Sequence, residues 1–266
     1  MALNIGAAFG PALGLMLFTW NAHVVFWLAA LLLAAYTLLL WGKLKPAQPF
    51  SAAGIAVSAP HFSDFKNPEM RIILLLTLCY LPLGFLYSQV DSTLPFHLKN
   101  HFSNYKSVLA LLLSFNGITV ILLQLWIAKA TARFAAPSML GISYLLFAAV
   151  ALGYGFAPSL VFLLTAELLF SVGEMLHGPH IQKTISELAG AEKRGYAFAV
   201  FGMGPQVSRA LGPLIGGLLF DLWGGAPLFL LLAGLFFAVG GIQSKLLRSA
   251  ALKTPASSPA ARAPLP

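Results

Sequence analysis

The sequence predicts an all-α polytopic membrane protein, and three observations support this class. Of its 266 residues, 59% are hydrophobic and only 9% are charged, whereas an ordinary soluble domain has about 25% charged residues. The apolar residues form continuous runs of roughly 20 residues, the length that crosses a bilayer as a helix. A Gly-Pro motif occurs in two of these runs, which indicates an internal repeat.

Eight apolar runs are long enough to be transmembrane helices. They cover residues 3–20, 24–41, 71–96, 106–128, 136–156, 159–178, 196–222 and 225–247. The longest connection, 42–70, is rich in Pro, Ser and Ala, and we expect it to be a cytoplasmic linker between two bundles. Residues 250–266 are Ala-, Pro- and Ser-rich, and we expect a disordered cytoplasmic tail there.

Basic residues lie in alternate connections, so that most of them share one side of the membrane. The positive-inside rule makes that side cytoplasmic and places both termini there, as in a multi-pass protein of the cell inner membrane. The net charge of +8 therefore reflects loop charges and does not indicate a nucleic-acid partner. The basic residues on this side are Lys43, Lys45, Lys66, Arg71, Lys129, Arg133, Lys183, Lys193, Arg194, Lys245, Arg248, Lys253 and Arg262.

Polar side chains are concentrated in four of the eight runs. Charged groups at membrane depth normally face a bundle interior or an aqueous cavity, so these helices are expected to line a polar path. The runs 24–41, 136–156 and 225–247 have no ionisable residue before their ends and are expected to be able to face lipid. The polar residues predicted to couple protons or line a substrate cavity are Tyr87, Gln89, Asp91, Asn116, Glu167, Glu174, Gln206 and Arg209.

Glu167 and Glu174 are the strongest candidates for function. They are seven residues apart and therefore share one face of a helix to within about 20°. A carboxyl group in this setting can load and release a proton or bind a cationic substrate, or it can form a structural bond to a neighbouring helix. Arg209 is deep in its own run and is expected to pair with one of these glutamates. Asp91, near the outer end of its run, is either a gate residue or an interfacial carboxylate.

The Gly-Pro motif occurs once near each end of the chain. Small residues four positions apart let helices approach closely, and proline removes a backbone hydrogen bond and bends the helix. The motif is therefore expected to seal or flex a helix interface, or simply to pack two helices. Its residues are Gly6, Gly10, Pro11 and Gly14 in the first copy and Gly212, Pro213, Gly216 and Gly217 in the second.

These motifs resemble those of the Major Facilitator Superfamily, most of all its bacterial drug:proton antiporter branch. That branch carries G-x-x-x-G-P-x-x-G-G in its fifth helix, which the first copy matches except that Leu15 replaces the final Gly. The stretch from Ser171 to Pro179, with Glu174, resembles the family's tenth helix. The loop signature between the family's eighth and ninth helices is degenerate here, at residues 128–135.

The resemblance implies a major facilitator fold that lacks its first four helices. Residues 1–41 would be the last two helices of the N-terminal bundle, and residues 71–249 the complete C-terminal six-helix bundle. It also implies a proton-coupled exporter of small hydrophobic or cationic compounds that works by alternating access, with lipid, substrate and protons as partners. Two alternatives remain: a proton-coupled symporter for peptides or other small solutes, and a truncated fragment with no autonomous transport.

No enzyme, cofactor or metal site is predicted. The sequence contains neither H-E-x-x-H nor G-x-S-x-G, and its single cysteine lies in an apolar run. Glu174, His177 and His180 form an E-x-x-H-x-x-H string whose spacing could suit a metal. We expect Pro179 to break the helix at that point, which favours a polar helix end at the membrane surface.

Overall fold

The computed structural model describes residues 2–43 and 67–253, and within them it contains helices and no strand. The first six helices are α1 (Ala2–Trp20), α2 (Ala22–Lys43), α3 (Pro68–Asp91), α4 (Thr93–Lys99), α5 (Tyr105–Thr131) and α6 (Ala136–Phe156). Two helices that meet at Gly190 follow, α7 (Leu160–Gly190) and α8 (residues 191–223), and the last is α9 (Gly225–Lys253). Most of the predicted linker and tail, at 44–66 and 254–266, lies outside the described residues.

Six of the described helices are long and apolar enough to cross a membrane. They are Ala22–Lys43, Pro68–Asp91, Tyr105–Thr131, Ala136–Phe156, Leu160–Gly190 and Gly225–Ser249. The predicted spans at 3–20 and 196–222 also form helices, and the part Phe9–Trp20 of α1 is a shorter apolar stretch. In α8, Gln206 and Arg209 lower the mean hydropathy of the segment.

The predicted span 71–96 is wrong at its outer end, because the helix stops at Asp91 and a short helix follows. Ser92 caps α3 with φ −116° and ψ −71°, which differ from the angles of a regular helix. Pro95 explains the break, since proline has no backbone N–H to donate to the carbonyl of residue 91. The Ser92 hydroxyl donates to the Ser88 carbonyl at 2.7 Å, which satisfies one acceptor at the helix end.

The expectation that Pro179 breaks its helix is also wrong, because α7 continues for 11 residues beyond it, to Gly190. A proline inside a membrane helix is tolerated where neighbouring groups satisfy the backbone that it disturbs. Here Nδ1 of His180 lies 2.8 Å from the Leu176 carbonyl oxygen. The helix ends instead at Gly190, whose φ of 65° is a left-handed conformation that glycine adopts without strain.

Helix α6 is central to the bundle, although its lack of charge predicted that it could face lipid. It packs against α7 and α9, and one face of it is fully enclosed. Uncharged membrane helices face either lipid or other helices, because both surroundings are apolar. The residues of this face are at most 1% exposed: Tyr144, Phe147, Val150, Ala151 and Tyr154.

The second Gly-Pro motif lies where α8 crosses α3. A side chain added at Gly212 would collide with Ser88, and one added at Gly216 would collide with the amide of Gln89. That amide donates to the Gly212 carbonyl at 3.0 Å. The glycines therefore bring the two backbones close enough for a hydrogen bond between helices. Gly217 has no described atom within 4 Å of the position of an added Cβ.

The first copy of the motif makes no such contact in the described part of the chain. A Cβ atom added at Gly6, Gly10 or Gly14 would meet no described atom within 4 Å. Pro11 lies inside α1, which packs against α5 and α2. Only the second copy thus acts as a close-packing surface within this structure.

We expect Gly216→Ala to destabilise the bundle by roughly 1–3 kcal/mol, the usual range for overpacking. The added methyl would push aside the Gln89 amide, which would then lose its bonds to Gly212 and to Thr93. Thermal unfolding of the purified chain in detergent would measure the loss. Gly217→Ala is the matched control, and equal unfolding temperatures for the two variants would contradict the packing role.

Candidate functional site

Glu174 is held at the junction of three helices. The Tyr87 hydroxyl of α3 donates to one carboxylate oxygen, and the Asn116 amide of α5 donates to the other at 2.7 Å. Both donors were among the predicted site residues. Hydroxyl and amide donors satisfy a carboxyl group without neutralising its charge, so Glu174 can exchange a proton without breaking an ion pair.

Glu167 lies two turns earlier on the same face of α7 and is only 3% exposed. The Tyr154 hydroxyl of α6 donates to its Oε2 atom at 2.5 Å. Ser171 lies between the two glutamates on α7. Its hydroxyl donates to the Glu167 carbonyl at 3.0 Å and accepts from the Asn116 amide at 3.0 Å. Ser171 and Asn116 therefore connect Glu174 to the main-chain carbonyl of Glu167, whereas the Glu167 carboxyl group is held by Tyr154.

The predicted pairing of Arg209 with Glu167 or Glu174 is wrong. Both carboxyl groups bind uncharged donors, which are Tyr154 for Glu167 and Tyr87 and Asn116 for Glu174. Arg209 is exposed on α8. A position along a helix determines depth but not direction, and the buried stripe of α8 passes through Ser208 and Gly212 and not through Arg209.

A cavity of about 480 Å³ adjoins Glu174. Its walls combine aromatic rings with amide groups, a composition typical of small-molecule sites. The residues that line it are Tyr80, Leu83, Tyr87, Asn116, Val120, Gln124, Glu174, Met175, His177, Gly178, Ile181, Gln182, Phe201 and Pro205.

His177 is a polar residue in the wall of this cavity that was not among the predicted cavity residues. Its side chain is 4% exposed, and its Nε2 atom is buried without a hydrogen-bond partner among the described residues. Its ring lies against Tyr80 and Tyr144, with centroids 5.7 Å apart in both pairs. A buried nitrogen without a partner is unusual and is available to a ligand in the adjacent cavity.

Asp91 and Arg209 line a second cavity of about 260 Å³. Tyr80, Tyr87 and Pro205 contribute to both cavities, so the two share a wall.

The remaining two predicted cavity residues lie elsewhere. Gln89 is fully buried in the contact between α3 and α8, and it lines neither cavity. Gln206 is exposed on α8 and also lines neither.

The E-x-x-H-x-x-H string does not converge on one point. Glu174 binds Tyr87 and Asn116, whereas the His180 ring contacts the carbonyl oxygens of Leu176 and Thr131 at 2.8 and 3.3 Å. Within the described residues, no group of three potential ligands is placed to hold a metal ion.

Tyr154 is the principal site residue that the sequence reasoning missed. It lies in a run that carries no charged residue, and a single hydroxyl in such a run does not by itself indicate a site. A usable signal was the presence of two tyrosines ten residues apart, Tyr144 and Tyr154, on one face of an otherwise apolar helix. A buried tyrosine hydroxyl needs a partner, and Glu167 is the nearest carboxyl group along the chain.

Comparison with known proteins identifies the family. Residues 76–266 match the sequence profile of the Major Facilitator Superfamily. The chain belongs to this superfamily. It is 32% identical over 237 residues to the MFS-type transporter YhjO of Bacillus subtilis, and 27% identical over 244 residues to the MFS-type transporter YqjV of the same organism. These alignments cover 89% and 86% of the chain, and the chain spans 58% and 57% of the relatives.

Two solved structures of POT family transporters share the fold. One is in complex with a thioalcohol-conjugated peptide and the other with 5-aminolevulinic acid, and each superposes with a TM-score of 0.59. They cover 89% and 95% of this chain, which spans 55% and 54% of theirs, at 12% and 13% identity. At that identity the likeness concerns the fold alone. Membership in a superfamily of transporters confirms a multi-pass membrane protein that is not an enzyme.

We expect Tyr154→Phe to lower the free energy of unfolding by about 1–3 kcal/mol, because it leaves a buried carboxyl group without its donor. Chemical unfolding of the chain in detergent would measure the change. Tyr36→Phe is the control, since Tyr36 is 61% exposed on α2. If both substitutions had the same small effect, the Tyr154–Glu167 bond would not contribute to stability.

Proposed function

We propose that this chain is part of a proton-coupled secondary transporter that exports small hydrophobic or cationic compounds by alternating access. The observation that carries the proposal is the pair of carboxyl groups on one face of α7, neither of which is ion-paired in the described residues. Glu174 meets the 480 Å³ cavity, and Glu167 lies buried two turns away on the same helix face, with its carboxyl group bound to Tyr154.

Glu174 is the group at which substrate and proton would exchange. Its carboxylate lies among Tyr80, Tyr87 and Phe201, all of which line the cavity. Aromatic faces attract organic cations, and a carboxylate in the same cavity adds a direct charge interaction. A proton on Glu174 would remove that charge and release the cation. One site would therefore serve both ligands in turn.

Glu167 would hold a second proton deeper in the bundle. It is enclosed by protein, its carboxyl group is held by Tyr154, and it lies two turns from Glu174 on the same face of α7. An intramembrane carboxyl group without a cationic partner is a functional-site candidate by default. The two carboxyl groups at different depths would support stepwise movement of a proton across the bundle.

The charge distribution supports an orientation with the N and C termini in the cytoplasm of the cell. The basic residues Lys43, Arg71 and Lys129 lie at or near the ends of α2, α3 and α5 that the positive-inside rule assigns to the cytoplasm. The opposite end carries the turn between α3 and α5, with Lys99 and Lys106. In this orientation α7 runs inward, so Glu167 lies on the outer side of Glu174.

We expect Glu174→Gln and Glu167→Gln to reduce efflux driven by a pH gradient to the level of vesicles that lack the protein. Glutamine keeps the size of the side chain and one acceptor oxygen, and it resembles the protonated carboxyl group, but it cannot take up and release a proton. Ethidium, a hydrophobic aromatic cation, is a suitable probe in inverted membrane vesicles that contain the full-length transporter.

Glu187→Gln is the matched control, because Glu187 is exposed on the same helix and paired with Lys183. Unchanged gradient-driven efflux in both the Glu174 and the Glu167 variants would refute proton coupling through α7. Movement of ethidium in the same direction as the protons, instead of the opposite direction, would identify a symporter.

A further inference from the structure

A third cavity, of about 320 Å³, lies at the end of the bundle where α4 follows α3 and α7 begins. We call it the histidine cavity. Two histidines and a tyrosine give it polar walls, and apolar side chains complete it. The residues that define it here are His97, His101, Phe102, Tyr154, Leu163 and Ala226.

The two histidines form a step from the surface into the protein. His101 is exposed, whereas His97 is only 7% exposed. Their ring centroids are 4.8 Å apart. Nε2 of His97 lies 3.2 Å from the Gly155 carbonyl oxygen, so this nitrogen carries the hydrogen and donates it. The exposed His101 ring therefore lies next to solvent, and the His97 ring lies between it and the end of α6.

Tyr154 joins this cavity to the buried carboxyl group. The residue lines the histidine cavity, and its hydroxyl donates to Oε2 of Glu167 at 2.5 Å. Glu167 itself lines neither the histidine cavity nor the 480 Å³ cavity next to Glu174. Tyr154 therefore connects the histidine cavity to Glu167 by a direct hydrogen bond.

We propose that the histidine cavity is the entry route for protons to Glu167, with His101, His97 and Tyr154 as successive carriers. The inference deepens the proposed function and rests on it, because it assigns a route to a carboxyl group that exchanges protons. It also gives the outer end of the bundle a proton-binding site separate from the cavity next to Glu174.

Each transfer along this route conserves protons. His101 takes a proton from water on one ring nitrogen and passes it to His97, directly or through water, which at about 30 Å³ a molecule fits the cavity. Tyr154 then gives its hydroxyl proton to Oε2 of Glu167 and receives on its oxygen the extra proton of His97, directly or through water in the cavity. Tyrosine and both histidines end neutral, and Glu167 ends protonated.

The surroundings of His97 determine how the route depends on pH. Burial lowers the pKa of His97, His101 lowers it further, and the Gly155 carbonyl opposes both effects. His97 is therefore neutral near pH 7 and gains a proton only in more acidic solution. Proton delivery along the route should accordingly quicken as the outer pH falls.

Among the described residues, the titratable groups that line the cavity with His97 are His101 and Tyr154, whereas Asp91 at the end of α3, which also packs on α4, lines the cavity of Arg209 instead. Tyr154 comes from α6, whereas α7 and α9 contribute the apolar Leu163 and Ala226 to the cavity lining. Helix α5, which also packs on α4, opens with Tyr105 and Lys106, and neither lines the cavity.

A purely structural role for His97 is the competing explanation. Its bond to the Gly155 carbonyl would then only satisfy an acceptor at the end of α6. His97→Gln separates the two roles, because glutamine can still donate to that carbonyl but cannot gain and lose a proton. His101→Gln tests the first proton carrier, the exposed His101, to which the bond with the Gly155 carbonyl does not belong.

The test follows the protonation of Glu167 by time-resolved infrared spectroscopy of the 266-residue chain in lipid vesicles after an external pH jump. The carboxyl band is assigned by its loss in Glu167→Gln. We expect His97→Gln and His101→Gln to slow the response of this band roughly tenfold or more, since a positioned acid-base group contributes at least that much to proton transfer. His23→Gln is the matched control, because His23 is exposed at the same predicted outer end.

The outcomes separate the route from the proposed transport function. Wild-type rates in both histidine variants would overturn the route and leave His97 structural. A Glu167 band that responds at no pH would overturn both the route and the role of Glu167 as a proton site. A band slowed only in the cavity variants would support the route, even if ethidium efflux by the full-length protein proved independent of Glu167. Thermal unfolding of each variant shows whether it is folded.

Discussion

Buried carboxyl groups without a cationic partner are the constraint on which this bundle depends. Glu167 and Glu174 lie on one face of α7, and an unsatisfied polar group in apolar surroundings is strongly unfavourable. Each carboxyl group therefore requires donors from neighbouring helices, which are Tyr87 of α3, Asn116 of α5 and Tyr154 of α6. These contacts fix the rotation of α7 about its axis and the depth of three helices beside it.

The apolar runs and the spacing of the glutamates were enough to predict the helices and the shared face of α7. They could not predict which helices that face meets. Arg209 illustrates the limit, because opposite charge suggested a partner for the glutamates, whereas the close packing of Gly212 and Gly216 on α3 turns Arg209 outward. Tyr154 was missed for the complementary reason: its helix carries no charge, and only the fold shows that a hydroxyl there reaches Glu167.

Proline positions show why helix boundaries were the weakest predictions. Pro95 accompanies an interruption of the helix at Ser92, whereas Pro179 lies within a continuous helix. Both prolines lack a backbone N–H, but the outcomes are opposite. The helix continues only where neighbouring groups bond to the carbonyl oxygens that the proline leaves without a donor. The two Gly-Pro motifs differ similarly. Gly212 packs tightly against Ser88, but Gly10 has no close neighbour in the described chain, and the local sequence is nearly the same in both.

The bonds that join α7 to three other helices also have a mechanical consequence. Displacing α7 alone would break hydrogen bonds to α3, α5 and α6 at once, so these four helices resist shear and tend to translate and rotate as one stiff body. A large change of shape is then confined to places that such bonds do not cross. Gly190 marks where α7 passes into α8, which is held to α3 by the bond between Gln89 and Gly212 and not by the glutamates. The hydrogen bonds of the two carboxyl groups thus restrict movement among these four helices and leave flexibility mainly at the edges of the bundle.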